Sequence, residues 1–208
     1  MTAKQNDKPT FIEEARRRQI IDAALQTIAD QGYTQTSFAE IARQLGITKG
    51  LIAYHFDGKH DLITSAIHTI LDYQGLYIKA AVDAQETAAA KLQTYITASL
   101  AYILEHRQHF AALVDLWGSF TSPLEKREFS ETAYNPCRAH LRKIFHLGQQ
   151  SGEFGPFDPQ VMAAVVQGGI DGLMLQWVFD PQAVDLHAAG QILAQLYLSQ
   201  ARAGARGG

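Results

Sequence analysis

The sequence predicts an all-α protein with an N-terminal three-helix helix-turn-helix unit and a C-terminal helical unit suited to ligand binding and dimerisation. Three observations carry this. Apolar residues recur at helical spacing through almost the whole chain, no alternating run is long enough for a strand, and Ser, Thr, Asp and Gly punctuate the periodic stretches at helix lengths. In residues 11–31, Ile20, Ile21, Ala24, Leu25 and Ile28 fall on one stripe, with Gly32 as the stop. Ser37 and Glu40 have the S-x-x-E spacing of a capping box ahead of a short second helix that Gly46 ends. Thr48 then caps a third helix through KGLIAYHF, anchored inward by Leu51 and Phe56. Two short helices across a tight Gly turn form the outline of a helix-turn-helix. A longer helix starts near Lys59 and persists to about Val82. Further helices are expected at about 86–104, 107–120, 123–151, 159–179 and 186–202, with Pro123 and Pro159 just inside their helices. The Asp57-Gly58 turn divides the chain into a DNA-binding part, 1–58, and an effector-binding and dimerisation part, 59–208.

Composition narrows the class. The chain has 208 residues, is 47% hydrophobic and carries a formal net charge of -3, enough apolar content for one or two packed cores. Residues 1–60 hold eight Lys/Arg against seven Asp/Glu, and 61–208 hold ten against fourteen, so the weak positive bias falls on the first part. The single Cys137 rules out an intramolecular disulfide and a Cys-rich zinc site, and suits a reducing cytoplasm. The opening MTAKQNDKPT lacks the apolar core of a secretion signal. Val161–Phe179 is apolar, but a mid-segment Asp171 would cost about 2.5–3.5 kcal/mol in a bilayer and Lys/Arg anchors are missing, so it reads as an interface helix. His106 and His109 share a helix face without a third ligand at clear spacing, so no metal is expected. No nucleophile elbow, zinc-protease pair or phosphate loop is present, so neither an enzyme nor a cofactor is expected.

The third helix concentrates polar chemistry. Thr48, Lys49, Tyr54 and His55 bring a hydroxyl, an ammonium, a phenol and an imidazole within two turns, the donor types that reach phosphates and base edges. Gly50 lets the backbone approach a sugar-phosphate wall, and Lys59 offers a second cation. Thr36 and Ser37 stand where free amides and hydroxyls suit a phosphate. Arg16, Arg17 and Arg18 are either a solvated face or include phosphate grips, with Arg17 the candidate taken forward. Tyr54 and His55 have packing at the base of the head as their alternative role.

The run GYTQTSFAEIARQLGITKGLIAYHFDGKHDL resembles the DNA-binding signature of the TetR family over roughly residues 16–63. The RRRQ that opens this region is similar to the branch serving the glycine-betaine pathway. The resemblance implies that Thr36, Ser37, Thr48, Lys49, Gly50, Tyr54, His55 and Lys59 occupy DNA-contacting positions. It also implies a homodimer whose last two helices pair as a four-helix bundle, and a repressor released from a palindromic operator by a small molecule. One departure stands out: Ala53 occupies a position where many members carry Tyr, which removes a phosphate-contacting phenol. A twofold is independently required if two recognition helices are to enter grooves about 34–36 Å apart.

The second part is read on physics alone. Gly168, Gly169 and Gly172 permit close backbone approach along the most apolar helix. Aromatic residues crowd the middle helices, either as ordinary core or as a pocket lined by Tyr102, Trp117, Tyr134, His140 and Asp171. Rings beside a carboxylate suit a cationic effector such as a quaternary ammonium compound. The alternative is an effector-independent architectural or recruiting DNA binder.

Overall fold

A computed structural model describes residues 10–205 apart from 119 and 121. The first nine residues, which hold nearly all of the opening read above as lacking a secretion signal, and residues 206–208 of the glycine-rich tail lie outside the described part. The described residues form ten α-helices and no strand: α1 (Phe11–Gln31), α2 (Phe38–Leu45), α3 (Lys49–His55), α4 (Lys59–Asp83), α5 (Ala88–Glu105), α6 (Arg107–Trp117), α7 (Pro123–Phe129), α8 (Asn135–Ser151), α9 (Pro159–Phe179) and α10 (Leu186–Arg202). They divide into two compact units, one ending at Ile67 and the other beginning at His68. The division falls inside α4 rather than at the Asp57-Gly58 turn, because Leu62, Ile63 and Ala66 of α4 are buried.

In the first unit, Ile20, Ala24, Leu25 and Ile28 of α1, Ile41 and Ala42 of α2, and Ile52 of α3 are buried with Phe56. Caps set the helix boundaries. Thr10 and Glu13 form a reciprocal capping box at α1, and Gly46 ends α2 in the left-handed conformation, φ 65°, where its N–H reaches back to the carbonyls of Ala42 and Arg43. The box expected at α2 is half formed. Ser37 Oγ accepts from the Glu40 N–H at 3.3 Å, while the Glu40 carboxylate is drawn to Arg43 instead.

In the second unit, α5 supplies Leu92, Ile96, Leu100 and Ile103 to the core, α8 Leu141, Ile144 and Phe145, and α9 Val166, Ile170 and Met174. The expected single helix over 123–151 is interrupted by one π-helical turn, Ser130–Tyr134, where the Asn135 N–H bonds to the Ser130 carbonyl five residues back. Pro136 follows immediately. Its ring lacks an N–H and would crowd the carbonyl four residues earlier, which the wider turn relieves.

The stretch after α8 ties three helices together. The Glu153 carboxylate accepts the first two N–H groups of α5, Ala88 and Ala89, both at 3.0 Å. The Gly155 N–H bonds to Ala201 of α10 at 2.8 Å, and Gln149 Nε2 holds the Gly155 and Phe157 carbonyls. Phe154 is buried directly against Gly148, where an added Cβ would stand 2.0 Å from the ring.

By length and composition α9 alone among the described helices could cross a bilayer. Within the chain it buries Ala163, Val166, Ile170, Met174 and Trp177, and exposes Val161 and Val165. Of its three glycines, Gly169 makes the close approach: an added Cβ would meet Tyr197 Oη at 2.9 Å and Leu193 at 3.1 Å of α10, and Tyr197 donates to the Val165 carbonyl at 2.8 Å. Gly168 and Gly172 face open space.

Because the Phe154 ring occupies the place of a side chain at Gly148, Gly148→Ala should cost about 1–3 kcal/mol through displaced packing. Thermal melting followed by circular dichroism measures this, and an unchanged midpoint would show that the ring relocates without penalty.

Candidate functional site

The first candidate surface is the outer face of α3. Thr48 caps the helix, its Oγ1 accepting from the Leu51 N–H at 3.2 Å. The anchors that turn the helix are Ile52, 0% exposed, and Phe56, 2% exposed. Leu51, expected to point inward, is half-buried. Ile52 inside the helix and Phe56 at its extended C-cap are both buried, while Thr48, Lys49, Gly50, Ala53 and Tyr54 are exposed together. Ser37, at the start of α2, is exposed as well, and His55 is half-buried.

The other sequence-selected residues of this unit are turned inward. Thr36 is 2% exposed and donates to the Gly32 carbonyl at 3.0 Å. Lys59 sits 4.0 Å from the Tyr33 ring centroid and donates to the Tyr33 carbonyl at 2.5 Å, with burial lowering its pKa. Arg17 lies over the Phe56 ring at 4.1 Å and donates to the His55 carbonyl at 2.5 Å and to Ser65 Oγ at 2.6 Å. Tyr54 keeps its ring exposed while its hydroxyl donates to Glu13 Oε1 at 3.0 Å. That carboxyl is held below its usual range, first by the Thr10 N–H and hydroxyl and then by Tyr54. Glu13 escaped the sequence reading, although its capping-box spacing from Thr10 was visible.

The second candidate is a pair of connected hollows in the second unit. A narrow inner cavity of about 40 Å³ is lined by Trp117, Tyr134 and Asp171, and also by Tyr95, Ser99 and Gln167. An outer groove of about 820 Å³ is bordered by His140, Lys79, Asp83 and Lys143. Leu71, Gln74, Ile78, Tyr95, Ala133 and Cys137 line both. Tyr102 lines neither. It stacks on His106, centroids 4.0 Å apart at 14°, and meets Tyr77 and Phe110 with other faces of its ring. His140 stands edge-on to Tyr95 at 5.3 Å, and burial lowers its pKa against the pull of Asp83.

Polar groups inside the cavity form a short relay. The Tyr95 hydroxyl is shared between Gln167 Oε1 and the Cys137 carbonyl, each at 3.4 Å, and Gln167 Nε2 donates to Asp171 Oδ1 at 2.8 Å. Among the described residues, the buried Nε1 of Trp117 has no acceptor. The cavity therefore offers a carboxylate acceptor, an unpartnered indole donor and aromatic faces. Tyr95 was missed because an aromatic at helical spacing on α5 is indistinguishable from core by pattern.

Known proteins show the same division. Residues 20–66 match the family described as bacterial regulatory proteins, TetR family, and residues 88–200 match BetI-type transcriptional repressor, C-terminal. The fatty acid metabolism regulator protein of Bacillus subtilis (strain 168) is 31% identical over 183 residues, covering 87% of this chain and 93% of its own. The crystal structure of the Bacillus subtilis transcriptional regulator FadR in complex with stearoyl-CoA has a TM-score of 0.79 at 27% identity, covering 88% of this chain and 98% of that one. A transcriptional regulator from Saccharomonospora viridis in complex with choline shares the fold, with a TM-score of 0.78 at 23% identity over 88% of this chain and 95% of that one.

Asp171 gives the cavity a titratable signature. Burial raises its carboxyl to about 6, against smaller lowering by Gln167 and Arg138. A carboxyl with a raised folded pKa contributes stability that is present below the unfolded pKa of about 4 and lost as pH rises through about 6. Asp171→Asn should therefore be more stable than the parent at pH 8, by about 1–3 kcal/mol, with the difference closing towards pH 4. Denaturant titrations across that range check it; an Asn variant less stable at pH 8 would show the carboxylate to be compensated.

Proposed function

Because the chain belongs to the TetR family of bacterial regulatory proteins, with a BetI-type repressor domain at its C-terminal end, we propose that it is a homodimeric repressor that leaves a palindromic operator when a small molecule occupies its second unit. The observation that carries this is the outer face of α3, where Thr48, Lys49, Gly50, Ala53 and Tyr54 are exposed together on a helix held by Ile52 and Phe56. Lys49 and Tyr54 are assigned to base edges and adjacent phosphates, Gly50 to close backbone approach, and Ser37 and Thr48 to phosphates. Ala53 removes one contact and narrows the readout to its neighbours. His55 sits at the edge of this face, and Thr36, Arg17 and Lys59 act through packing.

The partner of the apolar faces of α9 and α10 is a second copy. Val161, Val165, Ile192 and Leu196 are 57%, 49%, 59% and 61% exposed, and Gly168 and Gly172 leave room for close helix approach. The effector we assign to the inner cavity is a small organic cation. Asp171 is largely ionised at neutral pH, and Tyr95, Tyr134 and Trp117 surround it on the cavity wall. The inner cavity of about 40 Å³ shares six lining residues with the outer groove of about 820 Å³, so the bulk of the cation would extend into that groove. Signalling runs along α4, whose first turns bury Leu62 and Ile63 and whose later turns line the cavity with Leu71, Gln74 and Ile78. The effector must bind the non-DNA geometry better, since only differential affinity shifts the equilibrium. Regulation without turnover, in the cytoplasm where the operator lies, completes the reading. The tightness of the inner cavity favours one second reading, a DNA binder with no effector.

Fluorescence titration against duplexes flanking the protein's own gene should give salt-sensitive, sequence-selective binding, and Lys49→Ala should weaken it about tenfold. Binding that ignores sequence would reject the repressor. In thermal-shift measurements with quaternary ammonium compounds, a true effector at about 100 times its Kd adds about 2.7 kcal/mol. A flat response across quaternary ammonium and acyl thioester panels favours the effector-free reading.

A further inference from the structure

One face of α1 grips α3 at two points. Glu13 and Arg17 are four residues apart and so lie one turn above each other on α1. Glu13 Oε2 is fixed by the Thr10 N–H at 2.7 Å and the Thr10 hydroxyl at 3.0 Å, and Oε1 accepts from Tyr54 on the exposed side of α3. Arg17 takes the other end. With only seven residues, α3 leaves its last carbonyls without partners in the helix, and the guanidinium bonds to that of His55 while its face covers Phe56. Its remaining fork reaches Ser65 of α4. Ser65 Oγ lies 3.5 Å from Asp61 Oδ1, whose partner oxygen Oδ2 accepts the Asp57 N–H at 3.1 Å. The turn between α3 and α4 is thus closed by a continuous polar chain from Arg17 to Asp57. Glu13 and Arg17 both precede residues 20–66, the segment that matches the TetR family model, while their partners lie within it.

We infer that Arg17, seconded by Glu13, is a positioning residue that sets the tilt of α3 and links the start of α4 to it through Ser65, rather than a phosphate contact. A guanidinium whose two terminal nitrogens serve α3 and α4, and whose face covers a ring, would abandon all three partners to reach a phosphate. Arginine is required here for its planar fork, since a lysine ammonium can stay near Phe56 but cannot serve two acceptors in fixed directions. A tilted α3 still meets phosphates but misplaces Lys49 and Tyr54 against base edges, so the loss falls on sequence selectivity.

This rests on the DNA-binding reading of α3, and the test separates the two. The full-length protein is used to select a preferred duplex from a random-sequence pool, and Arg17→Lys and Ser65→Ala are titrated against that duplex and a shuffled one. Arg17→Lys should lose about tenfold affinity for the selected duplex and less than about twofold for the shuffled one, with the salt slope unchanged. Ser65→Ala should lose about threefold in the same selective manner, and the double variant should be no worse than Arg17→Lys by more than about twofold, because both act through one network. Thermal melts confirm that each variant is folded at the titration temperature, and Ser65→Ala, which removes only a hydroxyl, decides if the Arg17 variant is not. Equal weakening on both duplexes, with Ser65→Ala at parental affinity, would make Arg17 a phosphate contact and overturn the inference. Parental affinity in all variants overturns it too. A parent protein that selects no duplex would remove the DNA reading itself.

Discussion

The burial of Ile52 and Phe56 is the constraint on which the outer face of α3 depends. A seven-residue helix has too few internal hydrogen bonds to hold itself in water, so its existence and its rotation about its own axis are set by what it buries. Ile52 within the helix and Phe56 just past its end are the two attachment points, and what the helix displays to solvent follows from them. The polar ties from α1 act on top of this apolar anchorage. They fix the remaining degree of freedom, the tilt about the line through those two points, because directional bonds to a ring hydroxyl and to a terminal carbonyl resist a rotation that packing alone tolerates.

The inner cavity follows the opposite logic. A carboxyl at Asp171 is held among aromatic walls at a cost to stability, offset in part by the Gln167 amide. Packing alone would be better served here by a neutral side chain. The hydroxyl of Tyr134, pushed up to about 12 by burial and by Asp171, stays protonated and remains a donor. The site keeps an acidic acceptor and neutral donors within a few side chains of one another.

Much of this was legible in the residues, and the remainder was not for identifiable reasons. Helix ends came from caps and stops such as Thr48, Gly46 and Pro159, because these act locally. The direction in which a side chain points is not local. Arg17 and Lys59 have DNA-binding chemistry, yet their partners lie across the fold, in His55 and Tyr33, while Thr36 folds back on Gly32 four residues upstream. Leu51 and Ile52 are adjacent apolar residues in a helix too short for a period to choose between them. Tyr95 and Tyr102 are seven apart on α5, and only their partners, Gln167 of α9 for one and the C-cap His106 for the other, separate a cavity wall from a packed stack.

The π-helical turn at Ser130–Tyr134 amounts to one extra residue threaded into an otherwise continuous helix. A single insertion advances every preceding side chain by about 100° around the axis relative to those that follow. The bulge therefore lets Phe129, Ala133 and Tyr134 face the hollow while Leu141, Ile144 and Phe145 keep their own register against the core. Trimming one residue from this segment would rotate the cavity wall without disturbing the packing of α8. Relatives built on the same frame thus have a simple route to a differently shaped chamber, by shifting phase rather than exchanging side chains.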